Sequence, residues 1–409
     1  MKKVRFTQIE GGQGFWALLA ILGAVIAAGL GAVYYMEHNG HWVTGMNNQI
    51  VWGMPHVFAI FLIVAASGAL NVASIGSVFG KSMYKPLAPL SGLLAITLLA
   101  GGLAVLVLDL GRPDRLIVAM TKYNFKSIFA WNVILYTGFM VIVGVYLWTM
   151  LDRSMKKFSG KVGFVAFLWR LILTTGTGSI FGFLVSRQAF DEAIMAPMFI
   201  VMSFSFGLAV FLLVLMAAYR MTERPLGDAV LFRLKNLLGV FVGGVLYFVL
   251  AYHLMNLYAT EHHGVEAFIL RDGGIFTTLF WVVQIGLGSL LPLALLYHPS
   301  TGKSRSMIGT AAALVIIGGF AQVYVIVIGG QAYPMTIFPG FEATSTFADG
   351  AINAYSPTLA EVLLGFAGVA ITLAATAVAL KLLRFLPESL GDEQVVAKQD
   401  ATAAVKAAA

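Results

Sequence analysis

Ten apolar runs divide the sequence, at residues 15–35, 52–79, 87–108, 129–150, 163–184, 194–219, 236–256, 275–296, 306–328 and 358–383. A helix rises 1.5 Å per residue, so roughly 20 apolar residues cross a hydrocarbon layer about 30 Å thick. Backbone polar groups cannot stay unpaired in lipid, so runs of this length form helices. The pattern predicts an all-α fold, a polytopic integral membrane bundle of about ten transmembrane helices. Small residues, such as Gly23 with Ala27 and Gly239 with Gly243, are spaced for close helix packing. Helices two to five and six to nine would run in corresponding directions, and Pro55 and Ser67-Gly68 are loosely echoed by Pro197 and Phe206-Gly207. That suits two four-helix bundles flanked by the first and last helices. Residues 1–386 read as one membrane domain, and 387–409, with its Ala, Lys and Asp, as a disordered tail. The run behind Met1-Lys2-Lys3-Val4-Arg5 flows into Tyr34 and Tyr35 without a small-residue cleavage site, so it reads as a retained first helix rather than a signal peptide.

Composition agrees: 59% hydrophobic and 11% charged residues exclude a soluble domain and a disordered chain. The net charge of +7 says nothing of nucleic acid, because the cations are sorted by side. With a cytoplasmic N-terminus, the inner segments collect Lys2, Lys3, Arg5, Lys81, Lys85, Arg153, Lys156, Lys157, Lys161, Arg220, Arg224, Arg233, Lys235, Lys303, Arg305, Lys381 and Arg384. The outer loops hold only Arg112, Arg115, Lys122, Lys126, Arg187 and Arg271. The positive-inside rule then places both termini in the cytoplasm. The loop 109–128, with four of those six cations, breaks the rule and needs a reason other than topology.

Absence of cysteine excludes a thiolate-held iron-sulfur cluster, covalent haem, thiol catalysis and disulfides in this sequence. Of seven histidines, only His56 and His253 fall inside candidate helices, both toward the outer ends. A two-haem cytochrome is not expected, while one haem between these two is an open alternative to interfacial hydrogen bonding. No Asp or Glu occupies the middle of a span; Asp109, Asp191, Glu192 and Glu361 gather at the outer face. Neutral Asn71, Asn132, Gln284 and Gln322 go deeper. Asn71 follows His56 by 15 residues, about 22 Å along the helix, so Ser67 and Asn71 leave room for an inward proton path, or else serve helix packing. Arg170, near the inner end of the fifth run, is expected to snorkel to the interface. Glu261, His262, His263 and Glu266 have mixed ligand types without helical ligand spacing, and no metal site is assigned. Arg187, Asp191 and Glu192 could contact a partner or one another.

The sequence Leu106-Val107-Leu108-Asp109-Leu110-Gly111-Arg112-Pro113 resembles the third-helix signature of the NrfD/PsrC-type polysulfide reductase membrane subunits. Lys126-Ser127-Ile128-Phe129-Ala130-Trp131-Asn132 resembles the segment opening that family's next helix, where Ser and Trp are usual; Ile128, Phe129 and Asn132 depart from the Pro, Met and Gly common there. The run from Pro55 and His56 to Asn71 resembles the preceding helix of the ten-helix branch, and within it the DsrP-type subunits of sulfur-metabolism complexes. The resemblance covers the topology of most of the sequence, its specific motifs only about residues 52–132. It implies a haem-free subunit of a bacterial or archaeal cytoplasmic membrane that binds a quinone (menaquinone or ubiquinone) near the outer face. Electrons would be exchanged there with a periplasmic ferredoxin-like iron-sulfur subunit of the DsrO type, in a complex that also holds cytochrome and cytoplasmic iron-sulfur subunits.

A quinone site needs hydrogen-bond partners for two carbonyls, a group that takes the proton released on quinol oxidation, and an apolar slot for the tail. Asp109 could accept the proton with Arg112 fixing its orientation, His56 could bond a carbonyl, and Trp131 could wall the ring. Alternatively Asp109 and Arg112 form a structural ion pair in the turn, with Pro113 ending the helix, and Trp131 belongs to the interfacial aromatic belt. Arg115, Lys122 and Lys126 read as a docking surface or a solvated loop. Two other function classes remain: a single-haem b-type cytochrome using His56 and His253, and a secondary transporter, which a lack of midplane charge disfavours.

Overall fold

A computed structural model of the protein describes residues 4–335 and 350–393. Among the described residues, ten helices are long and apolar enough to cross a membrane: α1 (Gln13–Asn39), α2 (Met54–Ser77), α3 (Ser82–Leu108), α4 (Ile128–Leu151), α5 (Lys156–Gly182), α6 (Met195–Met221), α7 (Asp228–Tyr258), α8 (Ile275–Tyr297), α9 (Arg305–Ala332) and α10 (Leu359–Leu382). The fold is the all-α membrane bundle that the apolar runs predict. The main differences are at helix starts: α5 begins seven residues before 163 and α7 eight before 236, because polar and basic residues outside the apolar core still complete helical turns. Local signals explain several ends. Gly53 caps α2 with Pro55 in its first turn, and Thr358 with Glu361 forms a reciprocal capping box on α10.

Helices α2–α5 pack together, as do α6–α9, and the two groups meet where α2 crosses α6. The neighbour pattern repeats: α2 with α3, α4 with α5 and α2 with α9 are matched by α6 with α7, α8 with α9 and α6 with α5. α10 lies along α2 and α3, and α1 lies on α10. Successive helices alternate in direction, so the ends of α1, α3, α5, α7 and α9 share one face, here called the Asp109 face. Burial sorts the helices: 94% of the apolar window of α2 is inside the protein, against 17% for α1. α2 is therefore the common core of both bundles, and α1 is left mostly to lipid.

Glycines set the central crossing. A methyl on Gly68 would overlap the Ser203 carbonyl, and one on Gly207 would overlap the backbone of Gly68 and Ala69, so the two helix backbones touch directly. The residues expected to play this part do not. Gly23 and Gly243 face open space, and Gly239 receives the ring of Tyr297, because spacing along one helix does not reveal which face meets a neighbour.

At the opposite face, strand β1 (Phe6–Thr7) pairs antiparallel with strand β2 (Leu386–Pro387). Arg224, between α6 and α7, donates to the Gln8 carbonyl at 2.7 Å, and the Tyr219 hydroxyl to the Pro387 carbonyl at 2.9 Å. The segment expected to be a disordered tail starts with fixed residues. Leu390 is buried and exchanges backbone hydrogen bonds with Pro225 and Gly227, and the Asp392 carboxylate accepts from the Ala229 N–H at 2.9 Å in the first turn of α7. Residues 394–409 of that segment lie outside the described residues.

Candidate functional site

α3 ends at Leu108, and Asp109 caps it before Gly111, at φ +67°, turns the backbone round. That turn points Asp109 inward against the first turn of α2. The His56 Nδ1 stands 3.0 Å from Asp109 Oδ2. The Asp109 side chain is 1% exposed and that of His56 is 21% exposed. The contact is within ion-pair reach but not in hydrogen-bond geometry: His56 Nδ1 and both Asp109 oxygens have no hydrogen-bond partner among the described residues. A buried carboxylate without donors is costly, and this one sits beside a ring that reaches the surface. The turn glycine is crowded on its outer side by His41, whose buried Nε2 lies 3.9 Å from Glu37 Oε1 with no hydrogen-bond partner among the described residues.

The first turn of α2 is held in place from the other end of the sequence. The Tyr355 hydroxyl accepts from the Met54 N–H and donates to Glu361 Oε1, each at 2.6 Å. Glu361, fully buried, also accepts from the Gly45 N–H at 2.8 Å. Burial and the neighbouring carboxylate push the Tyr355 phenol well above its ordinary range, so it remains a donor. A side chain at Gly53 would strike both Tyr355 and Glu361. Gln331 at the end of α9 accepts from the Val51 and Trp52 N–H groups at 2.9 and 3.0 Å and donates to the Trp52 carbonyl at 3.0 Å. Trp52 thereby lies with its ring centre 6.2 Å from His56, 6.0 Å from Phe129 and 6.3 Å from Phe190.

The remaining candidates divide. Arg112 does not reach for Asp109: it grips Asp114 through Nε and Nη2 at 3.0 and 2.9 Å, in the open, and this pairing holds the Asp114 carboxyl below its ordinary value. Residues two apart in an exposed turn meet more readily than an exposed guanidinium meets a buried acid. Trp131 is 45% exposed, donates to the Phe125 carbonyl at 2.9 Å and packs on the Phe125 ring; the indole beside His56 is Trp52. Arg115, Lys122 and Lys126 are exposed around a short helix, Leu116–Thr121, with no buried residue.

Ser67 and Asn71 are both in contact with Arg170. Arg170 Nη2 donates to Asn71 Oδ1 at 2.9 Å, Ser67 donates to the Arg170 carbonyl at 3.1 Å, and Thr174 donates to Ser67 at 2.6 Å. Arg170 does not snorkel. It is 1% exposed, between the rings of Phe167 and Phe204 at 5.0 Å each, with Nε and Nη1 unpartnered among the described residues. The early start of α5 is the reason: Arg170 lies fourteen residues past Lys156, about 21 Å into the helix.

A second histidine–carboxylate pair stands in α6–α9. His253 Nδ1 is 2.7 Å from Glu266 Oε2, and Asn256 donates to Glu266 Oε1 at 3.0 Å. His56 and His253 thus sit in different bundles, each against its own acid. His262 Nδ1 bonds the Gln188 carbonyl at 2.8 Å and His263 Nε2 the Leu257 carbonyl at 2.9 Å. Among the described residues no group of three or more His, Cys, Asp or Glu is arranged to hold a metal. Arg187, between α5 and α6, donates to the Gln49 and Gln331 carbonyls at 2.7 and 3.1 Å.

These features define a polytopic helical membrane protein of two four-helix groups with a histidine–carboxylate pair near one face of each. The chain belongs to the polysulphide reductase NrfD family, which residues 42–335 match. It is similar to the Hdr-like menaquinol oxidoreductase integral membrane subunit of Archaeoglobus fulgidus, 29% identical over 399 residues spanning 96% of this protein and 99% of that one. A putative dimethyl sulfoxide reductase membrane subunit of Halobacterium salinarum is 28% identical over 86% of each protein. The menaquinone reductase integral membrane subunit of Nitratidesulfovibrio vulgaris is 22% identical over 80% of this protein and 84% of its own length.

Proposed function

We propose that this protein is the quinone-interacting membrane subunit of a multi-subunit oxidoreductase, and that quinol or quinone is bound at His56 and Asp109. The observation that carries the reading is the buried Asp109 carboxylate, which lacks any hydrogen-bond donor among the described residues and lies against a histidine that reaches the surface. A quinol hydroxyl suits that carboxylate as donor, and a quinone carbonyl suits the N–H of His56 as acceptor. Exposed Val51, Leu110 and Phe129 give an apolar rim for the tail, and Trp52, fixed by Gln331, is the ring wall. A bound quinol supplies electrons and protons together on oxidation. Asp109 takes one of the two protons at its carboxylate, and His56, 3.0 Å away, takes the other on its imidazole. Arg112 has no direct part.

The names of the relatives support a quinone partner and a complex. Menaquinone or ubiquinone is the ligand class, and an iron-sulfur subunit of the ferredoxin-like, DsrO type is the electron partner. It docks over Arg115, Lys122 and Lys126, whose charge suits an acidic surface. We place the Asp109 face outside the cytoplasmic membrane and both termini inside, from the distribution of Lys and Arg. The complex we propose serves the metabolism of sulfur compounds.

Fluorescence titration of the purified protein with a quinol-analogue inhibitor tests the site. Saturable binding that weakens in Asp109→Asn and His56→Ala at matched folding is the expected result. Unchanged affinity in both variants would falsify the assignment.

A further inference from the structure

The second bundle has its own chemistry, separate from the His56–Asp109 pair. Glu266 is fully buried with both oxygens engaged, and the His253 ring lies edge-on to Tyr252 and Phe280, with centres 4.9 and 4.7 Å away. Below it is a cavity of about 30 Å³ lined by Tyr252, His253, Gln284 and Gln322 among others. A second, of about 10 Å³, continues past the same two glutamines to Ser205 and Ser289. Gln284 and Gln322 are 5% and 3% exposed and line both cavities. Asn256 Oδ1 is buried without a hydrogen-bond donor among the described residues. Polar groups that face a cavity of this size call for water, whereas a quinone ring needs far more room. The π-helical turn Leu279–Leu290 sets this lining: Ser289 donates to the Gln284 carbonyl five residues back, at 2.9 Å.

We propose that the second bundle holds a hydrated proton-exchange site in which the Glu266 carboxylate takes up and releases a proton by way of His253 and water in the adjoining cavities, open to the Asp109 face alone. In the step a proton passes from water to the His253 ring while the ring gives its own Nδ1 proton to Glu266 Oε2, and the return reverses both transfers, with no other bond made or broken. His253 reaches the surface, its side chain 12% exposed. The groups around the pair are Tyr252 and Asn256 of α7 and Glu192 ahead of α6, and Glu192 in turn faces Asp191, Glu261 and His262. Glu192 is 4.0 Å from His262. Burial, together with the nearby Asp191, Glu266 and Glu261 charges and against the pull of His262, raises its carboxyl to about 7, where it exchanges protons near neutrality. In the other direction the path stops. Toward the opposite face α6, α7 and α9 bury Leu208, Leu212, Leu231, Leu234, Leu238 and Ile308, and Gly288 and Gly318, which line the second cavity, lie directly on each other.

The test is a pH-difference infrared measurement on the full-length protein in H₂O and D₂O. The expected result is a protonated-carboxyl band that shifts in D₂O, persists in Asp109→Asn, is lost in Glu266→Gln and moves in frequency in Glu266→Asp. Gln322→Leu should slow the D₂O shift by removing a water ligand. A wild-type band that ignores D₂O, or wild-type and Glu266→Asp spectra that superimpose, overturns the proposal and makes the pair a dry structural contact. Quinol-analogue binding should be the same in Glu266→Gln and wild type, so the two sites fail or stand separately.

Discussion

At the scale of single residues, the consequential contrast is between Asp109 and Arg112, three positions apart and physically unrelated. Asp109 is buried against His56; Arg112 is spent on Asp114 in solvent, where an ion pair adds little. Asp109→Asn should abolish electron exchange while leaving the protein in the membrane, and Arg112→Ala should leave quinol-analogue affinity unchanged. An equal loss in both, measured on matched preparations, would restore the direct Arg112–Asp109 pairing. Glu192 gives a pH signature. Its carboxyl is raised to about 7 from an ordinary 4.5, so between those values the folded protein holds a proton that the unfolded one releases. Stability therefore falls as pH rises through that window and levels off above it. Melting curves across the window should show this slope in the wild type and lack it in Glu192→Gln.

At the scale of elements, helix existence is legible in the sequence, because long apolar runs leave lipid-exposed backbone no other conformation. Helix pairing is not. The Asp109 turn can be read from Gly111 and Pro113, but its histidine partner arrives from another helix, and the residues that aim it come from farther still. Trp52 is gripped by Gln331 and Met54 by Tyr355, 279 and 301 positions away. No local spacing announces such contacts. The burial of Arg170 is hidden for a related reason: its depth depends on where α5 begins, and helix ends are the least determined part of a hydropathy pattern. Tyr355→Phe should leave the Met54 N–H and Glu361 short of a partner, at a cost of about 1–3 kcal/mol, seen as a lower melting point and weaker analogue binding together. Gly207→Val should be worse than most core changes, since its added carbons fall on the backbone of α2 and overpacking costs about 1–3 kcal/mol even where side chains can yield. Calorimetry that finds it neutral would mean the α2–α6 crossing is looser than described.

At the scale of the whole molecule, the two histidine–carboxylate pairs are linked by one short segment. Residues between α5 and α6 place Phe190 on Trp52 and, one residue earlier, give the Ala189 carbonyl to Tyr252 at 3.0 Å. The cationic loop 109–128 stands at the same face, beside the first pair only. Replacing Arg115, Lys122 and Lys126 together by Gln should weaken capture of an acidic iron-sulfur partner and flatten its salt dependence, without changing analogue binding. Reconstitution at two ionic strengths measures it, and unaltered salt dependence would return that loop to plain solvated surface.

The strand pair at the opposite face has a consequence for how the protein is made. Phe6 and Thr7 pair with residues about 380 positions later in the sequence, so during synthesis the first strand waits, unpaired, until the last helix has left the ribosome. Contacts between such distant segments form late. The clasp therefore acts as a completion mark: a nascent or truncated polypeptide that stops before Leu386 exposes an open edge at Phe6 and Thr7 and leaves Arg224 without its Pro387 contact. Quality-control proteases would meet a frayed corner there, and the finished protein would hide it.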